Sequence, residues 1–155
     1  MCGCIAIVVQ RFRQCKLLLD EEQWITVGGD VGGVVGDRNY NDSCGLLVYV
    51  SFSSSATKTQ VETAAQTVLN LPVLTTGLWG DSKSSTKSVL SLASTFSSSC
   101  SVVIVPQANL ITFTGGQNVH HELHNRPRGV ELAGLFIGGI SELLDQVFVG
   151  LSKDV

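Results

Sequence analysis

The sequence predicts a mixed α/β fold in one domain spanning residues 1–155. Three observations predict it. Short β-branched and apolar runs recur between turn-forming clusters, as at Cys4–Val9, Gly45–Phe52 and Val102–Val105. Two longer stretches carry apolar residues at helical spacing, one through Val61, Ala64, Ala65, Val68 and Leu69, the other from Leu132 to Val147. The chain has 155 residues, 44% hydrophobic and 15% charged. A chain of that length buries roughly 70% of its unfolded surface, enough for one real core. No internal repeat interrupts it, and no linker divides it.

The elements follow in order. Cys4–Val9 is a nearly continuous apolar run and is expected as a central strand. Lys16–Leu19 is the second strand, Asp20-Glu21-Glu22 a solvated turn and Gln23–Val27 the return strand. Gly28-Gly29-Asp30-Val31-Gly32-Gly33 and Gly36-Asp37 come next. Such glycines could cradle a phosphate, but no Gly-Lys-Ser/Thr ending follows and no amphipathic helix opens there. A flexible insertion is the better reading. Gly45–Phe52 is the next strand. Thr59-Gln60-Val61-Glu62 has the pattern of a capping box that starts the first helix, and Pro72 requires that helix to stop before it.

Residues 75–88 are rich in Gly, Ser and Thr and read as an exposed loop, and Ser97-Ser98-Ser99 as a polar turn. Val102 to Val105 are four β-branched residues in succession, a buried-strand signal that Pro106 ends. Leu110–Thr114 reads as a further strand before Gly115-Gly116. Leu132, Ala133, Phe136, Ile140, Leu143, Leu144 and Val147 then mark the second helix. Gly138 and Gly139 inside it each cost about 1 kcal/mol against alanine. Close packing against the sheet would compensate.

Composition narrows the function. The net charge of −3 excludes a broad basic face for non-specific nucleic-acid binding, although a few local cations and backbone donors can still hold an RNA end. The low charged fraction favours burial against a partner, and a homodimer is expected. The five cysteines are odd in number, and Met1-Cys2-Gly3-Cys4 has neither the basic region nor the apolar core of a secretory signal. Free thiols in a reducing cytosol are expected, so the protein is read as cytoplasmic. No apolar run approaches the roughly 18 residues of a membrane span.

Candidate catalytic side chains are scarce. All three histidines fall in His120-His121-Glu122-Leu123-His124. On a helix His120 and His124 would share a face and could hold zinc, but the spacing is not His-Glu-x-x-His and no convincing third ligand lies nearby. They read as surface-loop histidines, with no metal and no cofactor expected. No Gly-x-Ser-x-Gly elbow is present. Cys44 or Cys100 could serve as a nucleophile, but Cys100 directly precedes an apolar strand and reads as structural. No pair of carboxylates is spaced for general acid–base work.

Pro106-Gln107-Ala108-Asn109-Leu110 resembles the central motif of the D-aminoacyl-tRNA deacylase family. That motif is Ser-Gln-Phe-Thr-Leu at the end of a core strand, and Pro-Gln-Ala-Thr-Leu in the animal-type branch. Flanking pieces match in the same order. Ala6-Ile7-Val8-Val9-Gln10-Arg11 is similar to the opening strand, Gln14-Cys15 to a Gln-Cys pair, Gly45-Leu46-Leu47-Val48-Tyr49-Val50 to a Gly-Leu strand and Val68-Leu69-Asn70-Leu71 to the end of the first helix. Ser88-Val89-Leu90-Ser91-Leu92 resembles the segment before the motif. Gly116-Gln117-Asn118-Val119-His120-His121 resembles the loop after it. The resemblance runs from about residue 5 to about residue 144.

The resemblance implies a mostly antiparallel sheet or partly open barrel with about two main helices. It implies hydrolysis of the ester between an amino acid and the tRNA 3′-terminal adenosine, with the aminoacyl-tRNA 3′ end as partner. Side chains would contribute little chemistry, and the ribose 2′-OH would take part. Gln107 and Asn109 are the residues implied to act on the ester, with Pro106, Ala108, Leu110, Gly115, Gly116 and Asn118 holding the substrate. Gln107 offers amide donors and acceptors, Ala108 leaves room where the main family has Phe, and Asn109 stands in place of a Thr hydroxyl. The family ends with an Asn-x-Gly-Pro-x-Thr strand used in chiral selection across a homodimer. No Gly-Pro dipeptide occurs here, the prolines being Pro72, Pro106 and Pro127, so the domain is expected to lack that strand and to select weakly between enantiomers.

Overall fold

In the computed structural model, the described residues are 4–18, 21–28, 45–76, 85–93, 100–107, 112–115, 118–121 and 127–153. They form nine strands and three helices. The order is β1 (Ile5–Phe12), β2 (Gln14–Leu18), β3 (Trp24–Gly28), β4 (Gly45–Phe52), α1 (Lys58–Asn70), β5 (Leu74–Thr76), β6 (Ser85–Lys87), α2 (Val89–Ala93), β7 (Ser101–Pro106), β8 (Thr112–Gly115), β9 (Asn118–His121) and α3 (Pro127–Lys153). The expected class holds: the fold is mixed α/β with mostly antiparallel pairing, and its sheets are open among the described residues. Two longer helices are joined by the short α2, which the sequence reading did not anticipate.

The largest sheet has the order β1-β4-β7. At one end the Ser53 N–H donates to the Cys4 carbonyl over 3.0 Å, which joins the end of β4 to the start of β1, so the two run antiparallel. β4 and β7 run the same way. Gly45 lies against Ser101 where both strands begin, and the Gln107 N–H reaches the Val50 carbonyl near their ends. A parallel pair needs a long crossover, and α1 lies in that connection. Among the described residues β1 is therefore an edge strand, not the central one expected. Its apolar run misleads because only part of it is covered: Val8 is 49% exposed, and Gln10 and Arg11 are also exposed. β4 is the central strand, and six of its eight residues are buried.

β7 is also an edge. All its residues are half-buried, a correction to the fully buried strand that four β-branched residues suggest. Hydrophobicity reports that a strand joins a sheet, while burial depends on how many neighbours it has there.

By Cα packing the chain divides into two compact units. The first comprises Met1–Val9, Val48–Leu69 and Ile104–Val155. Its core combines Val48, Val50 and Phe52 of β4, Val61, Ala65, Val68 and Leu69 of α1, and Leu132, Phe136 and Ile140 of α3. Phe52 and Phe136 meet edge to face, with ring centroids 5.9 Å apart. The four-residue steps of Leu132, Phe136 and Ile140 place them on one helix face. Gly139 of that helix faces α1, since a Cβ there would stand 3.6 Å from that of Ala65, while one on Gly138 would meet open space. The compensation expected from the sheet comes at Gly139 from a helix, and Gly138 has none.

The second unit comprises Gln10–Leu47 and Asn70–Val103. It holds two hairpins. β2 and β3 pair antiparallel from Gln14 opposite Gly28 to Leu18 opposite Trp24. β5 and β6 pair from Leu74 opposite Lys87 to Thr76 opposite Ser85. The second hairpin corrects the loop expected over residues 75–88, because backbone pairing recruits Ser- and Thr-rich ends that carry no apolar signal. Leu46, Leu74, Val89 and Leu92 are its buried apolar residues.

The start of α1 is a further correction. Thr57 caps the helix, not Thr59. The Gln60 N–H donates to Thr57 Oγ1 over 3.3 Å, and the Thr57 N–H donates to Gln60 Oε1 over 2.9 Å. Both Thr57-x-x-Gln60 and Thr59-x-x-Glu62 fit the pattern, and the earlier one forms. Thr59 lies inside the helix, and Glu62 pairs instead with Lys58 at 3.6 Å. α2 is capped by Ser88, whose Oγ accepts from the Ser91 N–H over 3.1 Å.

Candidate functional site

Of the residues expected at the site, the structure describes Pro106 and Gln107 in full. Pro106 is the last residue of β7. It lacks an N–H, yet the ladder does not stop there: the N–H of Gln107 donates to the Val50 carbonyl over 2.8 Å. The Gln107 backbone is thus fixed by the central strand, and the residue is half-buried. A strand end of this kind can present an amide at a defined position. Ala108, Asn109, Leu110 and Gly116 lie outside the described residues.

Gly115 and Asn118 stand opposite each other in the antiparallel pair β8–β9. His120 and His121 belong to β9, opposite Phe113 and Thr112, so they are strand residues rather than loop residues, and His124 lies outside the described residues. Among the described residues, no group of three His, Cys, Asp or Glu could hold a metal ion. Cys100 is half-buried, outside any disulfide, just before β7, and Cys44 lies outside the described residues. No described helix is long and apolar enough to cross a membrane, which says nothing of a β-barrel.

The structure also contains a cavity that no motif signals. It has a volume of about 380 Å³ and is lined by Ile5 and Ile7 of β1 and by Thr59, Gln60, Thr63, Ala64 and Thr67 of α1. The repeat of threonine at four-residue steps was its trace in the sequence. Neither Pro106 nor Gln107 lines it.

No protein-family profile matches the chain, and no curated protein sequence does. Among solved structures, that of a probable eukaryotic D-amino acid tRNA deacylase is similar in fold. The TM-score is 0.64 at 18% sequence identity, and the match covers 93% of this chain and 70% of that one. The chain therefore has a deacylase-like fold.

Proposed function

We propose that this chain hydrolyses the ester bond of D-aminoacyl-tRNA or of misacylated tRNA, removing wrongly attached amino acids in trans. The observation that carries the reading is a coincidence of fold and motif. A chain whose fold is similar to that of a probable D-amino acid tRNA deacylase carries Pro106-Gln107-Ala108-Asn109-Leu110 beginning at the last residue of β7. The motif is one residue away from the animal-type version, which makes that branch the nearest.

The mechanism relies on positioning. Ester hydrolysis develops negative charge on the carbonyl oxygen, and fixed amide donors stabilise it best where they need not reorganise. Gln107, anchored through its backbone to Val50, supplies such a donor from its side chain. Asn109 supplies the second amide, and Pro106, Ala108, Leu110, Gly115, Gly116 and Asn118 hold the aminoacyl end. Holding the ribose 2′-OH near the ester removes several kcal/mol from the barrier. No cofactor or metal enters. The active species in this reading is a cytoplasmic homodimer.

A second reading is favoured by Asn109, which replaces the hydroxyl of the family's Thr: a non-catalytic homologue that binds the RNA end as a dimeric module. Incubation of the purified chain with D- and L-aminoacyl-tRNA separates the two. Release of the amino acid above the spontaneous rate is expected. Binding of the tRNA end with no release of either enantiomer would replace the first reading with the second.

A further inference from the structure

We infer that the exposed face of the β2–β3 hairpin packs against the same face of a second copy of this chain, in a two-fold dimer. The inference goes beyond the deacylase reading, which assigns no surface to its homodimer, and it does not depend on catalysis. Strand register fixes which residues share the face. Leu18 stands opposite Trp24, Lys16 opposite Thr26 and Gln14 opposite Gly28. Alternate residues of a strand belong to one side of its sheet, so these six lie together. All six are exposed, while Cys15, Leu17 and Val27 on the other side are half-buried.

The face has an apolar centre. Leu18 is 51% exposed and Trp24 61%, and as a directly opposed pair they form one continuous patch. Large apolar side chains scattered singly over a surface need no explanation. Here three of the six exposed large hydrophobics among the described residues, Leu18, Trp24 and Ile25, fall on one hairpin of two five-residue strands. Tryptophan supplies a large contact area at little cost in side-chain entropy, and two such rings attract when offset.

The charges select the partner. Lys16 lies two residues before Leu18, about 6.6 Å from it along the strand. Glu22 lies in the turn on the other side of the apolar pair, two residues before Trp24. Both are exposed, and the described ion pairs involve neither. The apolar centre thus has a cation on one side and a carboxylate on the other. A two-fold axis lying across the strands at this centre brings Lys16 of each copy to the partner's Glu22, so the contact forms twice. Stacking the hairpins parallel would set like charges against each other. A polyanion or a basic peptide would gain at one end of the face and lose at the other. The same face inverted satisfies both ends. Two five-residue strands make a small interface, so the dimer is a weak one.

The test is sedimentation equilibrium of the full chain over about 10–500 μM. A reversible monomer–dimer equilibrium is expected in that range, and it weakens as salt rises. Trp24→Ser, or Leu18→Ser if the first fails to fold, should weaken dimerisation by about tenfold or more. Lys16→Glu and Glu22→Lys should each weaken it by about threefold or more, and the chain carrying both should recover. In a mixture of the two single variants each contact between these positions again joins opposite charges, so the mixed dimer should form in preference to either homodimer. Ile137→Ser, at an exposed position of α3, should change nothing. A chain that stays monomeric throughout, a dimer that survives loss of Trp24 or Leu18, or charge reversals that neither recover together nor favour the mixed dimer would each overturn the inference. So would dissociation by Ile137→Ser, because the contact would then belong to α3. These readouts involve no aminoacyl-tRNA, so the dimer face and the deacylase reading fail separately.

Discussion

The N–H of Gln107 is bonded to the carbonyl of Val50, 2.8 Å away, one residue beyond a proline that has no N–H to donate. β4 therefore fixes the backbone at the point where the candidate motif leaves the sheet. Gln107→Ala keeps that bond and removes only the side-chain amide. In the deacylase reading, turnover should fall by about ten- to a hundredfold, with the melting temperature nearly unchanged. Gln107→Pro deletes the ladder bond and should lower stability by about 1 kcal/mol or more. A deacylation assay beside thermal unfolding checks both, and unchanged turnover in Gln107→Ala would remove Gln107 from the site.

Gly45 admits no side chain. A Cβ there would overlap the Ser101 carbonyl oxygen and stand 2.7 Å from the Phe12 ring. The ring can turn, but the β7 backbone cannot retreat without opening the sheet. Gly45→Ala should cost about 1–3 kcal/mol, or roughly 3–9 °C in melting temperature for a domain of this size. Differential scanning calorimetry measures it, and an unchanged midpoint would show that β7 gives way freely.

The cap of α1 gives a paired comparison. Thr57→Ala removes the hydroxyl that accepts from the Gln60 N–H and should cost about 1 kcal/mol. Thr59→Ala, at an exposed position inside the helix, removes no capping bond, and alanine has the higher helix propensity. It should be neutral or slightly stabilising. Urea unfolding of the two variants decides, and the reverse order would restore the later capping box.

Catalysis without a side-chain nucleophile predicts that Cys100→Ala and Cys44→Ala retain nearly full turnover. A loss of about a thousandfold with the fold intact would indicate a covalent thioester route instead.

The sequence by itself determined the elements whose signal is local. β4 was legible to the residue because Gly45–Phe52 is apolar but for Ser51 and bounded by turn-forming residues. α1 ends where Pro72 requires, and the four-residue steps of Leu132, Phe136 and Ile140 marked the face of α3. The β2–β3 hairpin was legible within a residue or two at each end. The motif at 106–110 was legible as well, because a proline and a polar cluster interrupt an apolar strand.

Tertiary structure decided what depends on neighbours distant in sequence. The capping box read at Thr59-x-x-Glu62 gives way to the overlapping Thr57-x-x-Gln60, whose reciprocal bonds form in the folded chain. Residues 74–76 and 85–87 have no apolar periodicity, so only backbone pairing makes them strands. β1 and β7 read as interior strands from their composition, yet the strand order among the described residues places both at edges. The groove beside β1 follows from the same cause. Its walls, β1 and α1, lie about fifty residues apart in the chain, and a local reading of apolar spacing cannot report what stands across a gap.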